Sequence, residues 1–168
     1  QNPHPPLWLA GSSQAATARR AGRLGISLCV TGTGQTLEQI KVLVGEYKAA
    51  AEAAGVPESQ QKFGIAVDTL VGETQADIDL SVEQDIVPVY AEQLVAFGFV
   101  READGTPVRE LPRDHPTFQF LLDSLVIGTP DQVVSRIKQF EDLGCSVFFP
   151  RLVEANFHSE SILKHMKL

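Results

Sequence analysis

The sequence is poor in the features that mark a metal centre, a nucleic-acid surface or a membrane span. Only two residues are cysteine, Cys29 and Cys145, each inside an apolar run, and neither belongs to a C-x-x-C pair or a His/Cys cluster. That pattern predicts buried free thiols and no metal, and fits a cytoplasmic compartment. Cations are outnumbered, 14 Lys and Arg against 21 Asp and Glu, for a formal net charge of −7. Tracking a phosphate backbone needs clustered Lys and Arg, so nucleic acid is not an expected partner. No apolar run approaches the ~20 residues of a membrane helix. The opening residues 1–6 are polar and proline-rich, which predicts no signal peptide. An initiator Met is missing, and "ILKHMKL" ends without a closing Gly or Asn; both predict a fragment or processed piece of something longer.

What the chain does hold is a set of solid apolar runs, each followed by a helical pattern. Residues 7–10 read as a buried strand bounded by Pro5-Pro6 and Gly11. A helix over about 13–24 follows, with Ser12 as cap, Ala15, Ala18, Ala21 and Leu24 on one face, and Gly25 as stop. Residues 26–30 form a second strand, and Thr36 caps a helix over about 37–54. "FGIAVDTLV", 63–71, is a third strand. The helix after Thr74 carries Pro88 inside its pattern, which predicts a kink or break. The charged, turn-rich stretch 98–117 reads as an excursion, a mobile loop or a hairpin. Thr129, Pro130 and Gln132 form a capping-box start for a helix with Val133, Ile137 and Phe140 inward. A strand over 146–150 and a last helix from about Ser159 complete the pattern.

Strands that are apolar throughout, and not alternating, are buried on both faces; they pair in parallel through helical crossovers. The fold class is therefore α/β. A closed (β/α)8 barrel takes ~250 residues, so 168 residues are about half of one. Half a barrel leaves two strand edges open, to be met by a missing half, by another copy, or by an open-sheet arrangement.

The Gly11-Ser12-Ser13 turn reads in two ways. Ser12 can simply cap the helix. Alternatively, the first helical amides lack intrahelical acceptors, the helix dipole adds partial positive charge, and Gly11 lets an anion approach at the carboxyl end of a strand.

"PHPPLWLAGSS…ARRAGRLGISLCVTG" resembles the region of the bacterial luciferase-like flavin-dependent monooxygenases in which a barrel strand meets the flavin phosphate. "VIGTPDQVVSRIKQFEDLGCSVFFPRLVEANFHSESILKHMKL" is similar to that family's last strand and helices, while residues 57–124 match in layout. The resemblance implies the C-terminal half of a (β/α)8 TIM barrel, with parallel strands alternating with helices. It implies reduced FMN, or a deazaflavin in some relatives, with O2 and a small apolar organic substrate. A flavin reductase and a homo- or heterodimer are the implied partners. Gly11, Ser12 and Ser13 are the implied cofactor-phosphate residues. Much of the ring pocket in the family comes from the N-terminal half, so the fragment alone is expected to be inactive. A non-catalytic flavin-binding or subunit-pairing relative is the alternative, as is a deazaflavin-dependent oxidoreductase.

Other residues carry competing readings. Arg19 and Arg20 either lend charge to the anion or line a solvated face. "GTGQT", 32–36, lacks the Lys-Ser/Thr ending of a P-loop and reads as a connection lining the mouth of the site. His158, in the loop before the last helix, is the candidate catalytic residue, with an exposed or capping role as the other reading. His115 belongs to the excursion and fits part of a lid, Glu154 fits either orientation of a substrate or flavin ring or the surface, and His4 and His165 read as surface. No nucleophile–base pair is evident, which suits chemistry carried by a cofactor.

Overall fold

The computed structural model of the chain describes residues 5–11 and 13–152. Strands and helices alternate as β1 (Trp8–Gly11), α1 (Ala15–Leu24), β2 (Ser27–Thr31), α2 (Leu37–Ala53), β3 (Phe63–Val71), α3 (Gln75–Ser81), α4 (Val87–Ala96), α5 (Pro116–Ser124), β4 (Val126–Gly128), α6 (Pro130–Asp142) and β5 (Val147–Leu152). β1 pairs with β2, β2 with β3 and β3 with β4, all parallel, and β5 also pairs with β3. None of the described helices is long and apolar enough to cross a membrane. The residues divide into two compact units, one drawn from 1–68 and 134–151, the other from 69–133 and 152 onward.

In the first unit the sheet has two unlike faces. Leu28, Val30, Phe63, Ile65 and Val67 are all at most 1% exposed. Tyr47 of α2 packs edge-on to Phe63 at 5.9 Å and donates its hydroxyl to the Ile26 carbonyl at 3.2 Å. α1 and α2 touch closely because of Gly22, where a Cβ would run into the Tyr47 carbonyl oxygen and come within 2.9 Å of the Ala50 Cβ. The opposite face is open. The expectation of a buried strand at 7–10 fails there: Leu7 is 52% exposed and Trp8 36%. β1 pairs with β2 alone among the described strands, so it is an edge whose side chains are uncovered.

α1 also departs from its expected bounds. It begins at Ala15, with Gln14 at the cap position making no side-chain bond; Ser12, the expected cap, lies outside the described residues. Ser13 does not wind into the helix, because its hydroxyl donates to the Thr31 carbonyl at the end of β2, 2.9 Å away. Leu24, expected inward, is exposed, and Gly22 takes the buried position beside Ala18 and Ala21. The stop is as expected: Gly25 has φ 67°, the left-handed turn that glycine adopts without steric cost.

In the second unit Thr69, Leu70 and Val71 of β3 pair with Val126, Ile127 and Gly128 of β4. The core gathers Leu70, Ile78, Ile86, Tyr90, Phe118 and Leu121. Pro88 interrupts the helix as expected, in a particular form: residues Val82–Ile86 make a π-helical turn between α3 and α4. The proline has no N–H, and a widened turn before it takes up the missing bond and the ring. Within 98–117 the backbone turns back on itself over residues 101–107. Arg101 and Pro107 form an antiparallel bridge, Glu102 N–H donates to the Thr106 carbonyl at 2.8 Å, and Val100 and Leu111 are buried in the core. The start of α6 matches its expected position, with Gln132 Oε1 accepting from the Thr129 amide at 2.8 Å.

Candidate functional site

The carboxyl ends of β1, β2, β3 and β5 in the first unit bring together polar groups from widely separated parts of the chain. Ligands of parallel sheets bind at this end because the following helices present their amino termini there. Gly11 closes β1. A Cβ at Gly11 would approach Thr17 Cγ2 to 2.6 Å, so the bare position is what lets α1 start close against the strand end. The Ala15 and Ala16 amides open α1 with no intrahelical acceptor. No acidic residue stands in that first turn, and the Gln14 side chain makes no capping bond to it.

The other helices that follow strands each have a side chain bonded to an amide at their start. Thr36 and Gln39 form a complete capping box on α2, the Thr74 hydroxyl accepts from the Asp77 amide on α3, and Gln132 covers the Thr129 amide before α6. At the end of "GTGQT" the Thr36 amide donates to Gln39 Oε1 and the Gln39 amide to Thr36 Oγ1, so these two donors serve the start of α2. Among the described residues, the bare start of α1 is the exception in this series.

Next along the rim stands a trio that sequence reasoning missed. Arg151 Nε donates to Asp68 Oδ1 at 2.7 Å, and Arg151 Nη2 donates to Thr33 Oγ1 at 3.0 Å. The Thr33 hydroxyl donates to Asp68 Oδ2 at 3.3 Å. Asp68 is 6% exposed. Burial pushes its carboxyl above the usual aspartate range, while the Arg151 charge and the Thr33 hydrogen bond pull it back without cancelling that effect. The signal that could have found it is a lone carboxylate inside the apolar run "FGIAVDTLV", since a buried charge needs a partner. Arg151 offers the same signal in "VFFPRL".

The open face beside this trio is apolar. Trp8 and Phe149 meet edge to face at 5.6 Å over Gly64, where a Cβ would come within 2.9 Å of Trp8 and 2.8 Å of Phe149. Cys29 is half-buried, and burial holds its thiol above the usual value despite the Arg151 charge. Burial likewise raises Cys145, to about 11. Both cysteines are free, and a raised pKa disfavours the thiolate form.

The remaining candidates fall elsewhere. Arg19 pairs with Glu46 of α2 at 3.0 Å, and Arg20 is exposed, so both belong to the outer helix surface. His115 caps α5 in the second unit, its Nδ1 accepting from the Thr117 amide at 3.2 Å. His158, Glu154, His4 and His165 lie outside the described residues.

Solved structures share the fold. A monooxygenase, RslO1, from Streptomyces bottropensis aligns with TM-score 0.68 at 19% identity, over 100% of this chain and 47% of its own. The FMN-bound oxygenating constituent of 3,6-diketocamphane monooxygenase from Pseudomonas putida aligns with TM-score 0.65 at 18% identity, over 97% and 46%. An F420-dependent secondary alcohol dehydrogenase in complex with an F420-acetone adduct aligns with TM-score 0.57 at 18% identity, over 88% and 43%. The chain therefore spans somewhat under half the length of these proteins. At such identities they establish a shared fold: an α/β architecture of parallel strands alternating with helices. The family model of the luciferase-like monooxygenases matches residues 1–146, and the chain belongs to that family.

Proposed function

We propose that the chain is the cofactor-phosphate-holding part of a flavin-dependent oxidoreductase built on a (β/α)8 barrel, with Gly11, Ser12 and Ser13 forming the phosphate turn. The observation that carries this reading is the uncapped start of α1 at the end of β1, where the first-turn amides and the helix dipole face outward with no side chain of the described residues over them. The local geometry supports the reading as well: the bare Gly11 lets α1 start close against the end of β1, and Ser13 is tied to Thr31, which fixes the turn before any ligand arrives. When bound, reduced flavin supplies the electrons and, with O2, the oxidising power; this chain's residues hold its charged tail and provide an apolar face. A reductase that supplies reduced flavin, and pairing with a second subunit, belong to the same reading. Deazaflavins carry the same kind of phosphate tail, and the F420-dependent relative keeps them in view.

Calorimetric titration tests the assignment. FMN should bind at least tenfold more tightly than riboflavin, which lacks the phosphate, since a charge-assisted anion contact is worth that much. Ala15→Glu places a carboxylate at the first helical position. It should weaken FMN about tenfold while leaving thermal stability equal or higher, because a negative charge at a helix start stabilises the helix. Equal affinity for FMN and riboflavin, or FMN binding indifferent to Ala15→Glu, would remove the phosphate turn. Repeating the titration with a deazaflavin decides between the two cofactors.

A further inference from the structure

We propose that Arg151 is an anion-docking residue, and that the substrate of this face is a small organic anion with an apolar body. The proposal names a substrate class for the site described above and rests on its being the reaction site. Arg151 Nε is held by Asp68 and its Nη2 by Thr33, and Thr33 is itself bonded to Asp68. Three side chains from separate segments thereby fix the plane of one guanidinium. Its inner edge is used; Nη1 bonds to none of the described residues, and the side chain is 48% exposed. Arginine carries five N–H donors in a rigid fork, so a ligand carboxylate or sulfonate completes this arrangement without displacing Asp68.

The rest of the ligand is argued from the same face. Phe149 lies two residues before Arg151 on β5, and Trp8 stands against it over the bare Gly64. Aromatic edges beside one oriented cation select a molecule with an apolar body and a single negative end. The phosphate turn does not compete for this group. β5 is on the edge of β3 opposite β2, since both the N–H and the C=O of Phe63 meet Ser146. β1 and β5 are thus three strand steps apart in the sheet, about 4.8 Å per step along it, so the phosphate turn and Arg151 stand on different strand ends.

Trp8 is the only tryptophan in the sequence, so its fluorescence reports occupancy directly. Titrating the chain with cyclohexanecarboxylate should shift Trp8 emission saturably. Cyclohexanecarboxamide, the same body without the charge, should bind at least tenfold more weakly. Arg151→Gln should abolish the preference for the acid while amide binding persists, and Arg151→Lys should retain part of it. Equal affinity of the parent for acid and amide, an undiminished preference in Arg151→Gln, or no saturable response to either compound would overturn the proposal. Flavin takes no part in this titration, so its failure is separable from a failure of FMN binding.

Discussion

Asp68 shows how opposing single-residue effects can be ranked. Burial of its carboxyl raises the pKa, and Arg151 and Thr33 only partly offset that. An acid whose folded pKa lies above its unfolded value, about 3.9, favours the folded state most when protonated. That contribution is complete below the unfolded pKa and is lost as pH rises through the folded value. At neutral pH the ionised Asp68 is therefore a net cost, kept for what it positions. Removing one member of a buried ion pair is usually severe because the other charge is stranded. Here the survivor, Arg151, is half in water, so that penalty does not arise. Asp68→Asn should leave stability at pH 7 equal to the parent or higher by about 1 kcal/mol. The gain should shrink towards zero as pH falls below about 4, as read from thermal melts across the acid range. A clear loss of stability at pH 7 would mean that the pair, not the burial, dominates.

At the scale of elements, two glycines in adjacent helices make opposite predictions from the same substitution. Ala in place of Gly in a helix gains up to about 1 kcal/mol of propensity. Gly45, inside α2, has open space where a Cβ would stand, with no other atom within 4 Å, so Gly45→Ala should realise that gain. Gly22, inside α1, would press a Cβ on the Tyr47 carbonyl oxygen and within 2.8 Å of the Ala51 amide nitrogen. Backbone does not yield as a side-chain tip does, and overpacking costs about 1–3 kcal/mol. Gly22→Ala should thus destabilise by roughly 1–2 kcal/mol net, as read from denaturant midpoints of both variants beside the parent. Stabilisation by both would show that α1 and α2 are not in close contact. The same contact explains why the helical face was misread: apolar periodicity put Leu24 inward, but packing at this crossing is set by the smallest residue, and periodicity does not register a missing side chain.

For the whole molecule, the parallel alternation of strands and helices was legible because nearly every residue of β3 is buried, so its composition is apolar apart from Asp68 and Thr69. β1 looked the same in sequence and is exposed, because composition cannot report whether a neighbouring strand or facing layer is present. The site divides similarly. The Gly11–Ser13 turn is a proposal that local chemistry left open and a family resemblance favoured, whereas Thr33, Asp68 and Arg151 meet across 118 positions of chain, and a single sequence carries no mark of that pairing. Protection of the backbone should follow the same division. β3 is bonded to β2 on one edge and to β4 and β5 on the other, with buried residues along its length. β1 has one partner and exposed side chains. Opening free energies rise with burial and with the number of bonds that must break together. In hydrogen exchange followed by mass spectrometry, peptides covering Phe63–Val71 should be the slowest of all strands and those covering Trp8–Gly11 the fastest. If β1 proved as protected as β3, some layer would be covering the open face in solution, and the edge on which Trp8 stands would not be an edge.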